Sequence, residues 1–136
     1  DSKNQKKVEA FKPQGMRVIS KETSKLTCEI LRSVVEKGTG NGADVPGYRV
    51  AGKTGTAQKP GPKGGYIQGK YIVSFIGFAP YDNPELVVYV AVDEPFSEYG
   101  DVSGGRVASP VAREIFRKAL QIRQFRTKRV IAEEIK

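Results

Sequence analysis

The residues with most capacity for chemistry lie between Gly47 and Thr56. There, Gly47-Tyr48-Arg49-Val50-Ala51-Gly52-Lys53-Thr54-Gly55-Thr56 sets one ammonium group among glycines and beside two hydroxyls. The first eight residues fit the GxxxxGK[ST] pattern of a phosphate-cradling loop, and Leu86 to Asp93 fits the apolar strand with a terminal metal-binding Asp that accompanies such loops. Cradling phosphate requires the Lys and Thr to open a helix, so that successive N–H groups point at the anion. Pro60, Gly61 and Pro62 follow too soon for a helix to form, and Tyr48 to Val50 favours a strand. The nucleotide reading therefore yields to a strand.

On a strand, alternation sends Lys53 and Gly55 to one side and Thr54 and Thr56 to the other. Gly55 lets a ligand or a facing helix come close to the backbone. If the strand lies at a sheet edge, its free N–H and C=O groups can take up an extended peptide as an added strand. An ammonium and two hydroxyls beside that edge suit a carboxylate on the peptide.

Other elements must hold this strand in place. Residues 1–19 alternate raggedly around Pro13 and Gly15 and predict a hairpin. From an N-cap at Ser20 or Thr23, the spacing of Leu26, Ile30, Leu31, Val34 and Val35 predicts an amphipathic helix closed at Gly38. Loops are expected at 38–47 and 58–69. Tyr71 to Phe78 and Leu86 to Val92 read as strands joined by the Pro80-Tyr81-Asp82-Asn83-Pro84 turn. A loop from Asp93 to Ser109 then leads to Pro110, which suits a first helical turn, with Val111, Ile115, Phe116, Ala119 and Leu120 on one face. The fold class is α+β: an antiparallel sheet with flanking amphipathic helices. Residues 1–120 form the domain portion and 121–136 a basic extension or linker.

Composition narrows the function. With 136 residues and 38% hydrophobic content, the chain is long enough for one core. A net charge of +8 favours anionic partners. Nucleic acid is disfavoured because most aromatics fall inside apparent core strands instead of alternating with basic residues on a surface. Histidine is absent, which removes Ser-His-Asp and Cys-His catalysis and most zinc sites. Cys28 is the single cysteine, so no intramolecular disulfide forms, and it reads as a core or boundary thiol. No cofactor and no metal are called for. Asp93 and Glu94 read as a solvated strand end, Ser74 as structural, and Lys59, Lys63 and Lys70 as parts of a solvated loop.

Lys-Thr-Gly is also one element of a signature that includes Ser-x-x-Lys and Ser-x-Asn. Several runs match beyond the triplet. Ala51 to Gln58, Tyr71 to Pro80, Val92-Asp93-Glu94-Pro95, Arg17-Val18-Ile19-Ser20, Gly38-Thr39-Gly40 and Gly104 to Pro110 together resemble the class B penicillin-binding proteins, in the family's order, over about residues 10 to 120. The resemblance implies the C-terminal part of a transpeptidase domain. It implies that Lys53 supplies positive charge and proton traffic near the nucleophile, and that Thr54 and Thr56 bind the substrate or antibiotic carboxylate. The Thr56 N–H would be an oxyanion-hole donor, and Gly55 would leave room for the acyl group.

No serine in the chain is followed three residues later by lysine, so the nucleophile and its base are missing. The chain alone is expected not to acylate. Ser2-Lys3-Asn4 fits Ser-x-Asn formally but lies in a polar terminal segment and reads as incidental. The implied partners are peptidoglycan stem peptides, β-lactam antibiotics, the upstream part of the same domain, and division or elongation proteins. The implied location is the extracytoplasmic face of the bacterial membrane, with the anchor outside this chain. Two other readings stay open: a β-lactamase or D,D-carboxypeptidase of the same superfamily, and a non-catalytic cell-wall binding module.

Overall fold

A computed structural model describes residues 15–96 and 102–134, with side chains through residue 123. Ser20 caps α1 (Lys21–Lys37), its hydroxyl accepting from the Thr23 N–H at 3.0 Å. The helix ends at Gly38, whose N–H returns to the Val34 carbonyl. A 3-10 turn at Asn41–Ala43 leads to three antiparallel strands, β1 (Ala51–Pro60), β2 (Tyr66–Ala79) and β3 (Leu86–Asp93), in the order β1-β2-β3. A second helix, α2 (Gly104–Glu134), follows. The expected α+β architecture is present.

Alternation decides the two faces of the sheet. Val73, Phe75 and Ala79 of β2 are buried with Val88 and Val90 of β3, Val35 of α1, and Ala108, Ala112, Phe116 and Leu120 of α2. Both helices therefore cover one face. Phe75 is the key to its packing. Its ring lies where a Cβ on Gly52 or Gly77 would sit, 2.5 and 2.6 Å away, and its far edge reaches Gly40. Glycines on two paired strands and a loop thus make the slot that holds a fully buried phenylalanine. The other face stays open, with Ile76 51%, Val87 66% and Tyr89 63% exposed.

Arg32 fastens α1 to the start of β1. Its guanidinium donates to Asp44 Oδ1 at 2.7 Å, to the Val50 carbonyl at 2.7 Å and to Glu36 Oε1 at 3.0 Å. A planar fork can serve all three acceptors at once. The loop between helix and strand is thereby held where Thr39 meets β1.

The boundaries depart from the sequence-based expectation in three places. The loop expected over 58–69 shrinks, because β1 continues to Pro60 and β2 begins at Tyr66. The second helix starts at Gly104, so Pro110 lies inside it and not in its first turn. Gly104 and Gly105 read as loop residues, yet they are glycines because the helix start packs against backbone: a Cβ would lie 2.3 Å from the Ser74 carbonyl oxygen and 2.6 Å from that of Thr39 respectively. Of the hairpin expected over 1–19, residues 1–14 lie outside the described residues and 15–19 form no strand.

Among the described residues one buried side-chain group lacks a partner. Ser109 is fully buried in α2 and its Oγ has no hydrogen bond among the described residues. Removing an unsatisfied buried hydroxyl recovers its desolvation penalty of about 1 kcal/mol. Ser109→Ala in the complete protein is expected to hold or raise the thermal midpoint, read by calorimetry; a fall of several degrees would show that the hydroxyl is satisfied.

Candidate functional site

The four residues singled out by sequence lie consecutively on β1, at the edge of the described sheet. Lys53 pairs with Ile76, Thr54 with Phe75, Gly55 with Ser74, and Thr56 with Val73. The helix that nucleotide binding would need is a strand. Because Phe75 and Val73 face the helices, Thr54 and Thr56 share that side, while Lys53 shares the open side with Ile76. The outer edge of β1 has no partner strand among the described residues.

Hydroxyl contacts fix the strand's side chains. Thr54 Oγ1 and Thr39 Oγ1 are 2.9 Å apart and share a hydrogen bond. Lys53 Nζ donates to the Thr54 carbonyl at 3.0 Å and to Thr54 Oγ1 at 3.2 Å. No carboxylate among the described residues pairs with it, so its charge is uncompensated. Thr56 Oγ1 accepts from the Gly104 N–H at 3.3 Å, which ties the start of α2 to the strand. A cavity of about 390 Å3 opens here, lined by Thr54, Thr56, Thr39, Asn41, Ser103 and Arg106 among others. Gly55 has a local reason as well as the expected one, since a Cβ there would lie 2.6 Å from Ser74 Oγ.

Sequence reasoning treated Thr39 and Arg106 only as parts of matching runs, and it passed over Ser103. Their proximity depends on close glycine contacts between segments far apart in the chain, for which no local pattern exists. It also read Asp93, Glu94, Lys59 and Lys70 as solvated; Lys59 is half-buried and the other three are exposed. All four are also paired, with Lys59 Nζ 3.0 Å from Asp93 Oδ1 and 2.8 Å from Glu94 Oε1, and Lys70 bonded to the other Glu94 oxygen. Hydrogen bonds from Lys59 and then Lys70 hold the Glu94 carboxyl down to about 2, so it stays ionised above that pH. The same contacts raise the Lys59 ammonium, with Glu94 the larger cause and Asp93 the next.

A larger cleft of about 560 Å3 lies between α1 and the β2–β3 turn, lined by Arg17, Lys21, Lys25, Cys28, Tyr81 and Asp82 among others. It contains none of residues 53–56. Among the described residues no group of three His, Cys, Asp or Glu could hold a metal, and no helix is long and apolar enough to cross a membrane.

Comparison with known proteins agrees with this geometry. The family model for the penicillin binding protein transpeptidase domain matches residues 3–117. Stage V sporulation protein D of Bacillus subtilis is 56% identical over 105 residues, covering 76% of this chain and 16% of that protein. The peptidoglycan D,D-transpeptidase FtsI homolog of Chlorokybus atmophyticus is 37% identical over 113 residues, covering 83% of this chain and 16% of that protein. Penicillin binding protein 3 of Mycobacterium tuberculosis, solved in complex with ampicillin, superimposes with a TM-score of 0.73 at 36% identity, over 85% of this chain and 27% of that one. The chain thus spans less than a third of each of these relatives. It belongs to the penicillin-binding protein transpeptidase family, as a segment of the transpeptidase domain.

Proposed function

We propose that this segment supplies the substrate-binding strand of a peptidoglycan D,D-transpeptidase. The observation that carries the reading is the placement of Lys53, Thr54 and Thr56 on a sheet edge with no partner strand among the described residues, with an ammonium that pairs with no described carboxylate and two hydroxyls bordering a cavity. In the complete enzyme a donor stem peptide lies along β1 with its terminal carboxylate near Thr54 and Thr56. A serine Oγ attacks the D-Ala-D-Ala carbonyl, with the Thr56 N–H donating to the oxyanion, and the terminal D-alanine leaves. An amine of a neighbouring stem then displaces the serine and closes the cross-link. β-Lactams occupy the same edge and remain on the serine.

The nucleophile has to come from elsewhere, because the chain holds no Ser-x-x-Lys. Lys53 and the exposed apolar residues Ile76, Val87 and Tyr89 share one sheet face, which suits the upstream segment that carries the serine. That segment packs on the open face and brings its nucleophile to Lys53. The assembled domain works outside the cytoplasmic membrane, where its peptidoglycan substrate lies.

The complete protein is expected to become covalently labelled by a fluorescent penicillin at one serine outside this chain, read by gel fluorescence and peptide mapping. The isolated chain is expected to stay unlabelled. An acyl-enzyme that persists for hours fits a transpeptidase, whereas release within seconds would assign the segment to a hydrolase, and no labelling at all would sink the proposal.

A further inference from the structure

The ion cluster at the far end of β1 does more than decorate a strand end. β3 stops at Asp93, which pairs with Ile72, so beyond that register β1 and β2 run on as a two-stranded ribbon. A lone ribbon is marginal in water. Gln58 pairs with Tyr71 at its root, which brings Lys59 and Lys70 to neighbouring places on the two strands, and like charges there repel. Glu94 receives both, Lys59 on Oε1 and Lys70 on Oε2, while Asp93 adds both of its oxygens to Lys59.

The backbone of Glu94 is the second observation. Its φ of 46 lies in the left-handed region, which favours glycine. The N–H at this position donates to the Tyr71 carbonyl at 2.9 Å, a bond that glycine could make equally well. What glycine could not supply is the carboxylate. A strained residue kept where glycine would fit better points to a use for its side chain.

We propose that Glu94 is a positioning residue which, through Lys59 and Lys70, sets the outer half of the substrate edge at residues 57–60. It thereby governs recognition of stem-peptide residues upstream of the terminal D-alanines. The assignment rests on the functional reading above. With the scissile carbonyl at the Thr56 N–H and the terminal carboxylate displaced toward Thr54, the peptide runs antiparallel to β1, so its earlier residues lie beside Ala57 to Pro60. A short substrate stops before reaching them.

The test compares two substrates on the complete enzyme. Glu94→Gly and Lys59→Met are each expected to lower kcat/KM for a stem pentapeptide about tenfold, mostly through KM, while N-acetyl-D-Ala-D-Ala changes less than about twofold. The double variant is expected to lose less than the sum of the two single losses, since Glu94 acts in part through Lys59. Unchanged pentapeptide turnover, equal losses on both substrates, or additive losses would each overturn the assignment while penicillin labelling persists. Absence of labelling in the unaltered enzyme overturns the functional reading, and this assignment with it.

Discussion

Replacing Lys53 with alanine in the complete enzyme is expected to slow acylation by benzylpenicillin at least about a thousandfold, a barrier increase of about 4 kcal/mol. Two losses combine. The ammonium no longer offers a charge-assisted contact to the incoming carboxylate, and the proton passing between serine and leaving group loses a positioned carrier. Within this segment truncation removes little: Lys53 is exposed there, its two bonds go only to the neighbouring Thr54, and no carboxylate among the described residues depends on it. In the complete enzyme the upstream segment packs over this side chain, so the thermal midpoint is expected to fall by about 2–4 °C, too little to account for the loss of acylation.

Lys53→Arg separates the two contributions. Arginine retains the charge but is effectively unable to release a proton, and its fork needs more room than an ammonium. It is expected to recover carboxylate binding in part yet to stay at least about tenfold below the unaltered enzyme in acylation rate. Stopped-flow acylation of both variants, beside calorimetry, provides the check. An alanine variant that acylates at the normal rate would remove Lys53 from the mechanism and with it the main support for the site.

How much of this was legible in the sequence depends on whether the cause was local. Alternation along β2 places Val73, Phe75 and Ala79 on the buried side, and Ser20 with the 3.6-residue spacing after it marks α1; both patterns lie within a few residues. The Lys53 to Thr56 strand was readable because Pro60, Gly61 and Pro62 exclude the helix that the competing motif needs. The ribbon beyond Gln58 was hidden, because its Gly, Pro and Lys content imitates a loop. Glu94 bonds a lysine on each of the ribbon's strands, and one of them, Lys59, lies 35 positions earlier. The start of α2 was hidden for a related reason. Two adjacent glycines argue against a helix locally, and only the backbone of β1, β2 and the Thr39 loop shows why they are there.

That packing makes Gly104→Ala the second variant with a large expected effect, and two contributions of opposite sign compete in it. Helix propensity alone favours alanine over glycine by about 1 kcal/mol. Against this, the added Cβ would lie 2.3 Å from the Ser74 carbonyl oxygen, 2.7 Å from that of Gly55 and 3.1 Å from the Gly55 nitrogen. All three are backbone atoms of paired strands, so no rotamer change relieves the clash and α2 must retreat. Overpacking of this kind costs about 3 kcal/mol, which outweighs the propensity gain and leaves a net loss of about 2 kcal/mol. The retreat also breaks the Gly104 N–H bond to Thr56 Oγ1, and if Thr56 binds substrate as proposed, a shift of about 1 Å there can slow reaction about a hundredfold. The complete enzyme carrying Gly104→Ala is therefore expected to unfold roughly 4–8 °C lower and to acylate about a hundredfold more slowly. Gly15→Ala, where the added carbon meets open space, should change neither quantity. If Gly104→Ala instead raises the midpoint, propensity has won, and α2 does not rest on β1 closely enough to position Thr56.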